Sequence, residues 1–179
     1  MKNLSDQEII DSVKKGNTSD YSIIVNRYKN KAFSMLKRML KDEFDAEEIL
    51  QDCFLKAYNS LGSFKGESKF STWFYRIVYN SALTKLSSQK RKIESEMSSV
   101  EEHFDLVSSY NSDEIEKKDL KDLIQETVNK LPERYSAIIT MFYLNEMTID
   151  EISEVMGISI SNVKVMLYRS RNALRDLIL

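Results

Sequence analysis

Two stretches of the sequence carry residue types with chemistry to offer. Gly62 to Ser68, reading GSFKGES, is polar and holds two of the chain's four glycines. It runs directly into a segment where Trp73, Tyr75 and Tyr79 stand among Arg76 and Asn80. Flat rings beside cations hold unstacked bases of single-stranded nucleic acid, the ring replacing the lost stack and the cation meeting phosphate. For any single ring, burial in a packed helix edge is the competing reading. The second stretch lies near the C-terminus, where Lys164, Arg169, Arg171 and Arg175 occur between residues 159 and 175 without one acid. Both suggest non-covalent contact with a polyanion. No Gly-rich phosphate loop, no histidine pair and no nucleophile with a partner base is present, so an enzyme is not expected. One Cys and one His (His103) exclude an internal disulfide and a Cys/His zinc site, and neither metal nor cofactor is expected.

The elements that must position these residues are helices. With 4 Gly and 1 Pro in 179 residues, the punctuation that sheets and tight turns require is scarce. Ser5 with Glu8 forms a capping-box pattern opening a first helix that Gly16 can stop. Tyr21, Ile24, Val25, Tyr28, Ala32, Met35, Leu36, Met39 and Leu40 make the stripe of a half-buried second helix. Asp42, Glu43 and Asp45 interrupt it, and a third helix is expected from Asp45, carrying Ala46, Ile49, Leu50, Cys53, Phe54, Ala57, Tyr58 and Leu61 on its buried face and turning Glu47, Glu48, Gln51 and Asp52 outward. A fourth helix buries Phe70, Phe74, Ile77, Val78 and Leu86, with Trp73, Tyr75 and Tyr79 beyond that stripe. Residues 93–112 read as a flexible acidic linker: six serines, five acids, no Gly or Pro, and no sustained apolar period. The helical pattern resumes after Ser112, and Pro132 suits the first turn of a helix that buries Ile138, Ile139, Phe142 and Leu144. Thr148 with Glu151 is a second capping box; the helix it opens, a turn at Gly157 and a longer basic helix capped by Ser159 or Ser161 match the helix-turn-helix pattern.

The formal net charge of -2 conceals a strong division along the chain. Residues 1–92 sum to +6, residues 93–130 to -7 and residues 131–179 to -1. The first residues lack the apolar core of a signal peptide and no run approaches ~18 apolar residues, so a cytoplasmic protein is expected.

Along nearly its whole length the chain resembles the extracytoplasmic-function sigma factors, the small two-domain specificity subunits of bacterial RNA polymerase. The likeness is carried by DAEEILQDCFLKAY (45–58), FKGESKFSTWFYRIVYN (64–80), LPERY (131–135), MTIDEISEVMGISISNVK (147–164) and YRSR (168–171), in the family's order and spacing. The resemblance implies an all-α protein of two helical domains, region 2-like over 1–92 and region 4-like over 113–179, joined by the linker 93–112. It implies docking on the clamp helices of core RNA polymerase through Asp45, Glu47, Glu48, Gln51 and Asp52. It implies capture and melting of the minus-10 element by Ser60, Phe64, Lys65, Gly66, Ser68, Lys69, Trp73, Tyr75, Arg76 and Asn80, a flipped base costing a few kcal/mol of stacking that the protein must replace. Ser161, Asn162, Lys164, Val165, Tyr168, Arg169 and Arg171 match the face that reads duplex minus-35 DNA in the major groove. Val165 departs from relatives that have a polar residue there, leaving a thymine-methyl contact or no contact. An anti-sigma factor, in many relatives membrane-anchored, is a further implied partner. Two other functions fit parts of the sequence: a free-standing dimeric helix-turn-helix regulator, which leaves the aromatic helix and acidic face unexplained, and an adaptor whose basic segments are merely solvated.

Overall fold

In the computed structural model residues 4–97 and 126–178 are described, and among them every regular element is helical. Helix α1 (Asp6–Lys14) leads through a 3-10 turn (Thr18–Asp20) into α2 (Tyr21–Leu40). Helix α3 (Glu43–Ser60) and a second 3-10 turn (Leu61–Ser63) precede the long α4 (Phe70–Met97). The second half holds a short helical segment α5 (126–130), α6 (Glu133–Ile139) running into a π-helical turn (Thr140–Leu144), α7 (Ile149–Met156) and α8 (Ile160–Ile178).

Local chemistry accounts for the helix ends. Ser5 Oγ accepts from the Glu8 amide at 3.3 Å while the Glu8 carboxylate accepts from the Ser5 amide at 2.8 Å, closing the expected box. Lys41 takes the left-handed conformation, φ 60°, and ends α2. The third helix starts earlier than its sequence suggests: Asp42, extended at φ -132°, is the cap, and its carboxylate accepts from the Asp45 amide at 2.8 Å. Such a cap contributes ~1 kcal/mol. Pro132 is the residue before α6 rather than inside its first turn.

Helices α2, α3 and α4 pack mutually around an aromatic column. Phe74, fully buried, stacks between Phe54 at 4.8 Å and Phe70 at 5.9 Å, with Tyr28 tilted against it. Cys53 is buried in the same core, and desolvation pushes its thiol up to about 11. In the second half Ile138, Ile152, Val155, Val163 and Leu167 form the inside of α6, α7 and α8. The halves touch: α6 lies on α2 and α7 on α4. Lys41 Nζ donates to the Leu131 carbonyl at 2.9 Å and also to the Asn129 carbonyl, so a side chain from the end of α2 closes the end of α5.

Four expectations are corrected. Tyr58, read on the buried face of α3, is 36% exposed, its ring edge-on to Tyr21 at 5.0 Å. Tyr75 and Tyr79 lie inside the core, each 2% exposed, because the neighbouring helices cover them. Leu144 is exposed, since the π-helical turn widens the last turn and rotates it off the buried face. Residues 93–97, read as the start of the linker, continue α4. His103 and the helical pattern expected between Ser112 and residue 125 fall outside the described residues.

Two outcomes follow from this packing. Phe74→Ala removes a fully enclosed ring and should cost about 3–5 kcal/mol in urea-monitored unfolding. A thiol reagent at pH 8 should leave native Cys53 unmodified for hours and titrate one thiol per chain at once in denaturant.

Candidate nucleic-acid interface

The loop between the second 3-10 turn and α4 is held from three sides. Lys14 Nζ donates to the Phe64 carbonyl at 2.7 Å and lies 5.8 Å from the Phe64 ring centroid. Phe64, buried, packs on Trp73 at 5.1 Å, and Phe70 meets Trp73 at 5.6 Å. Trp73 is thereby fixed by two rings and remains half-buried. Gly66 takes φ 75°, a conformation that side-chain-bearing residues adopt only under strain, and lets the loop fold back over the groove. Phe64, Lys65, Gly66, Ser68, Trp73 and Arg76 line that groove together.

Position along α4 then decides what else faces the groove. Arg76 and Asn80 are exposed on Trp73's side, one and two turns further on. Ser60 is half-buried at the exit of α3, its carbonyl accepting from Ser63 Oγ at 2.8 Å. Lys65 is exposed, and Lys69 is exposed but paired: its Nζ lies 2.7 Å from Glu151 Oε1. Tyr75 alone among these residues turns away, its ring 6.3 Å from Tyr28 and its hydroxyl pKa raised by burial.

The turn between α7 and α8 is built as the helix-turn-helix pattern requires. Thr148 Oγ1 accepts from the Glu151 amide at 3.2 Å and the Glu151 carboxylate accepts from the Thr148 amide at 2.8 Å. Gly157 sits at φ 65° as the C-terminal cap. Ser153 Oγ donates to the Ile158 carbonyl at 2.5 Å, tying the turn to α7. Of the two candidate caps for α8, Ser159 is the one used, accepting from the Asn162 amide at 3.2 Å. With Val163, Leu167 and Ser170 inside, Ser161, Asn162, Lys164, Val165, Tyr168, Arg169 and Arg171 share the solvent side, Tyr168 at 65% exposure.

The acidic face of α3 is divided. Asp45 and Glu48 each lie 2.9 Å from Lys85 Nζ on α4, and these two hydrogen bonds raise the lysine's pKa. Glu47, Gln51 and Asp52 project freely. Sequence reasoning missed Phe44 and Leu55, 84% and 61% exposed, which fall along the same face as Glu48 and Gln51. Their signal was present: both are large apolar residues off the buried stripe. It also missed Glu151 and Glu154 as neighbours of the loop, since α7 lies some eighty residues further along the chain. Among the described residues no group of acidic, His or Cys side chains is arranged to hold a metal, and no helix is long and apolar enough to cross a membrane.

Comparison with known proteins agrees with the geometry. The family model for Sigma-70 region 2 matches residues 24–92 and that for Sigma-70 region 4 matches residues 121–174. The ECF RNA polymerase sigma factor SigW of Bacillus subtilis is 33% identical over 174 positions, covering 93% of this chain and 92% of its own. The ECF RNA polymerase sigma-E factor of Escherichia coli K12 is 31% identical over 178 positions, covering 96% and 93%. Among solved structures, CnrH in complex with the cytosolic domain of CnrY superposes with a TM-score of 0.69 at 20% identity over 97% of this chain and 96% of CnrH. The sigma factor RpoE bound to the anti-sigma factor NepR, from Bartonella quintana, gives 0.66 at 21% identity over 89% and 96%. These two likenesses concern the fold. An all-α chain ending in a helix-turn-helix, preceded by a helical bundle with an aromatic-basic loop, is a transcription factor of the sigma class. The chain belongs to the ECF RNA polymerase sigma factors.

Gly157 offers a test of the turn. No atom lies within 4 Å of a side-chain carbon added there, so only the left-handed backbone resists substitution. Gly157→Ala should cost about 1 kcal/mol in thermal unfolding and Gly157→Asn less, since Asn tolerates that conformation.

Proposed function

We propose that this sigma factor directs core RNA polymerase to its promoters by reading minus-35 duplex with α8 and capturing a minus-10 base in the groove beside α4. The observation that carries the reading is that half-buried Trp73 and exposed Arg76 line one groove with Lys65 of the loop, while exposed Asn80 lies on the same side of α4 one turn beyond Arg76. A ring fixed by Phe64 and Phe70 offers a rigid surface for stacking without further ordering cost. Asn80 presents donor and acceptor together, which reading a base edge requires. In this account Phe64 is the floor that holds Trp73, and Tyr75 serves the core rather than the DNA.

The open face of α8 supports the minus-35 part. Lys164 and Arg169 suit guanine, Asn162 suits adenine or a phosphate, and Tyr168, Val165 and Ser161 complete the surface entering the groove. Arg171 suits the phosphate backbone. The functional division runs over 1–97 for docking and the minus-10 element, 98–112 as linker, and 113–179 for the minus-35 element.

Core polymerase is engaged by α3. Glu47, Gln51 and Asp52 with Phe44 and Leu55 form a face both acidic and apolar, suited to a basic partner helix with an apolar stripe. Asp45 and Glu48 support that face through Lys85. Two proteins of like fold are described in complex with CnrY and with the anti-sigma factor NepR, which favours an anti-sigma partner for this chain.

Run-off transcription with the host's core enzyme should depend on this chain. Asn80→Ala should impair strand opening at minus-10 while leaving minus-35 footprints intact; equal loss at both would indicate misfolding. Arg169→Ala should weaken minus-35 recognition roughly tenfold or more, as expected for a base contact; an unchanged footprint removes Arg169 from the reading face. Tight binding of duplex operators by the chain alone, with no initiation from any host core enzyme, would favour a free-standing regulator.

A further inference from the structure

The loop that borders the groove is not open on all sides. Helix α7 packs against α4 and brings Glu151 to 2.7 Å from Lys69, while Glu154, one turn further on, enters the lining of the groove beside Lys65 and Arg76. We infer that the free chain covers its own single-strand pocket, with the Glu151 and Glu154 carboxylates occupying the positions where phosphates would meet these cations. This rests on the reading of the groove as the base-capture site.

Three features carry the inference. First, Glu151 is fixed before it meets Lys69. One carboxylate oxygen accepts from the Thr148 amide at 2.8 Å as part of the helix cap and the other takes the lysine, so little ordering is lost on closure. Burial alone would raise the Glu151 pKa, but the bonds from Lys69 and Thr148 outweigh it and hold the carboxyl below its ordinary value, so it is charged at neutral pH. Second, the cover is selective. The solvent face of α8 remains exposed, so closure hides one DNA-contact surface and leaves the other available. Third, the seam can be left. It encloses a cavity of about 300 Å³ lined by residues including Lys31, Lys69, Tyr75 and Asn145, where the Tyr75 hydroxyl and the Asn145 amide nitrogen have no hydrogen-bond partner. A seam with a cleft of this size gives up packing contacts along its lining, in contrast to the aromatic column of α4.

The test uses the full chain and a Glu151→Gln/Glu154→Gln variant. Glutamine at 151 retains the capping box, so the helix start is preserved while both charges are removed. The probe is a fluorescein-labelled single-stranded DNA decamer of random sequence at fixed low salt. The variant should bind roughly three- to tenfold more tightly, a range set by the small contribution of exposed ion pairs, with unchanged circular dichroism and Tm. Amide hydrogen exchange over residues 62–69 should be faster in the variant. Unchanged affinity and exchange, with Asn80→Ala still weakening binding in both backgrounds, would overturn the cover and leave the pocket reading in place. Faster loop exchange without strand binding by either protein would overturn the pocket reading, and with it the competition proposed here.

Discussion

The structure depends on a constraint of helix geometry acting in α4. One face of this helix must bury Phe70, Phe74 and Val78 against Phe54 and Tyr28, and the angular period of the backbone then leaves no choice about where residues 73, 76 and 80 lie. The aromatic column is therefore an orienting device as well as a source of stability. It fixes the outer face of α4, and Phe70, shared between the column and the Trp73 contact, links the two. Helix α3 is bound to the same reference by Lys85 bridging Asp45 and Glu48, and α1 reaches it through Lys14 on the Phe64 carbonyl.

The second half solves a different problem. Its helices are short, and three polar devices hold the angle between α7 and α8: the Thr148 box, the Ser153 bond to the Ile158 carbonyl and the left-handed Gly157. Each is local, lying within six residues of its partner, so the reading helix is aimed by short-range chemistry and only supported by the apolar interior of Val155, Val163 and Leu167. The first half inverts this balance, with distant aromatic contacts setting the site and local caps merely ending its helices.

That difference explains what was legible in the sequence. Ser5 with Glu8, Thr148 with Glu151 and Gly157 are patterns of near neighbours, and each is found where the residues indicated it, while the α8 cap, left between Ser159 and Ser161, is Ser159. The apolar stripes of α2 and α3 were equally readable from their period. The failures have different causes. Tyr75 stands at helical spacing with Val78, Tyr79, Ala82 and Leu86, a second buried stripe that its basic neighbours masked, and Tyr28, from another helix, packs against its ring. The start of α3 was read three residues late, at Asp45 instead of the Asp42 cap, because five acids between Asp42 and Glu48 offer several capping arrangements and only backbone conformation selects one. Leu144 was misplaced because a π-helical turn breaks the periodicity on which its assignment rested. The proximity of α7 to the loop is a tertiary fact with no trace in either segment alone.

The interior position of Cys53 has a consequence for how this chain can receive signals. It is the sole thiol in the sequence, it lies wholly inside the bundle, and its raised pKa keeps it protonated at neutral pH. Thiol chemistry acts on accessible thiolates, so thiol–disulfide stress has no foothold at Cys53 in the folded chain. If such stress governs the genes it serves, the oxidation must take place on another molecule, and what reaches this protein is a change in contact rather than a change in bonding.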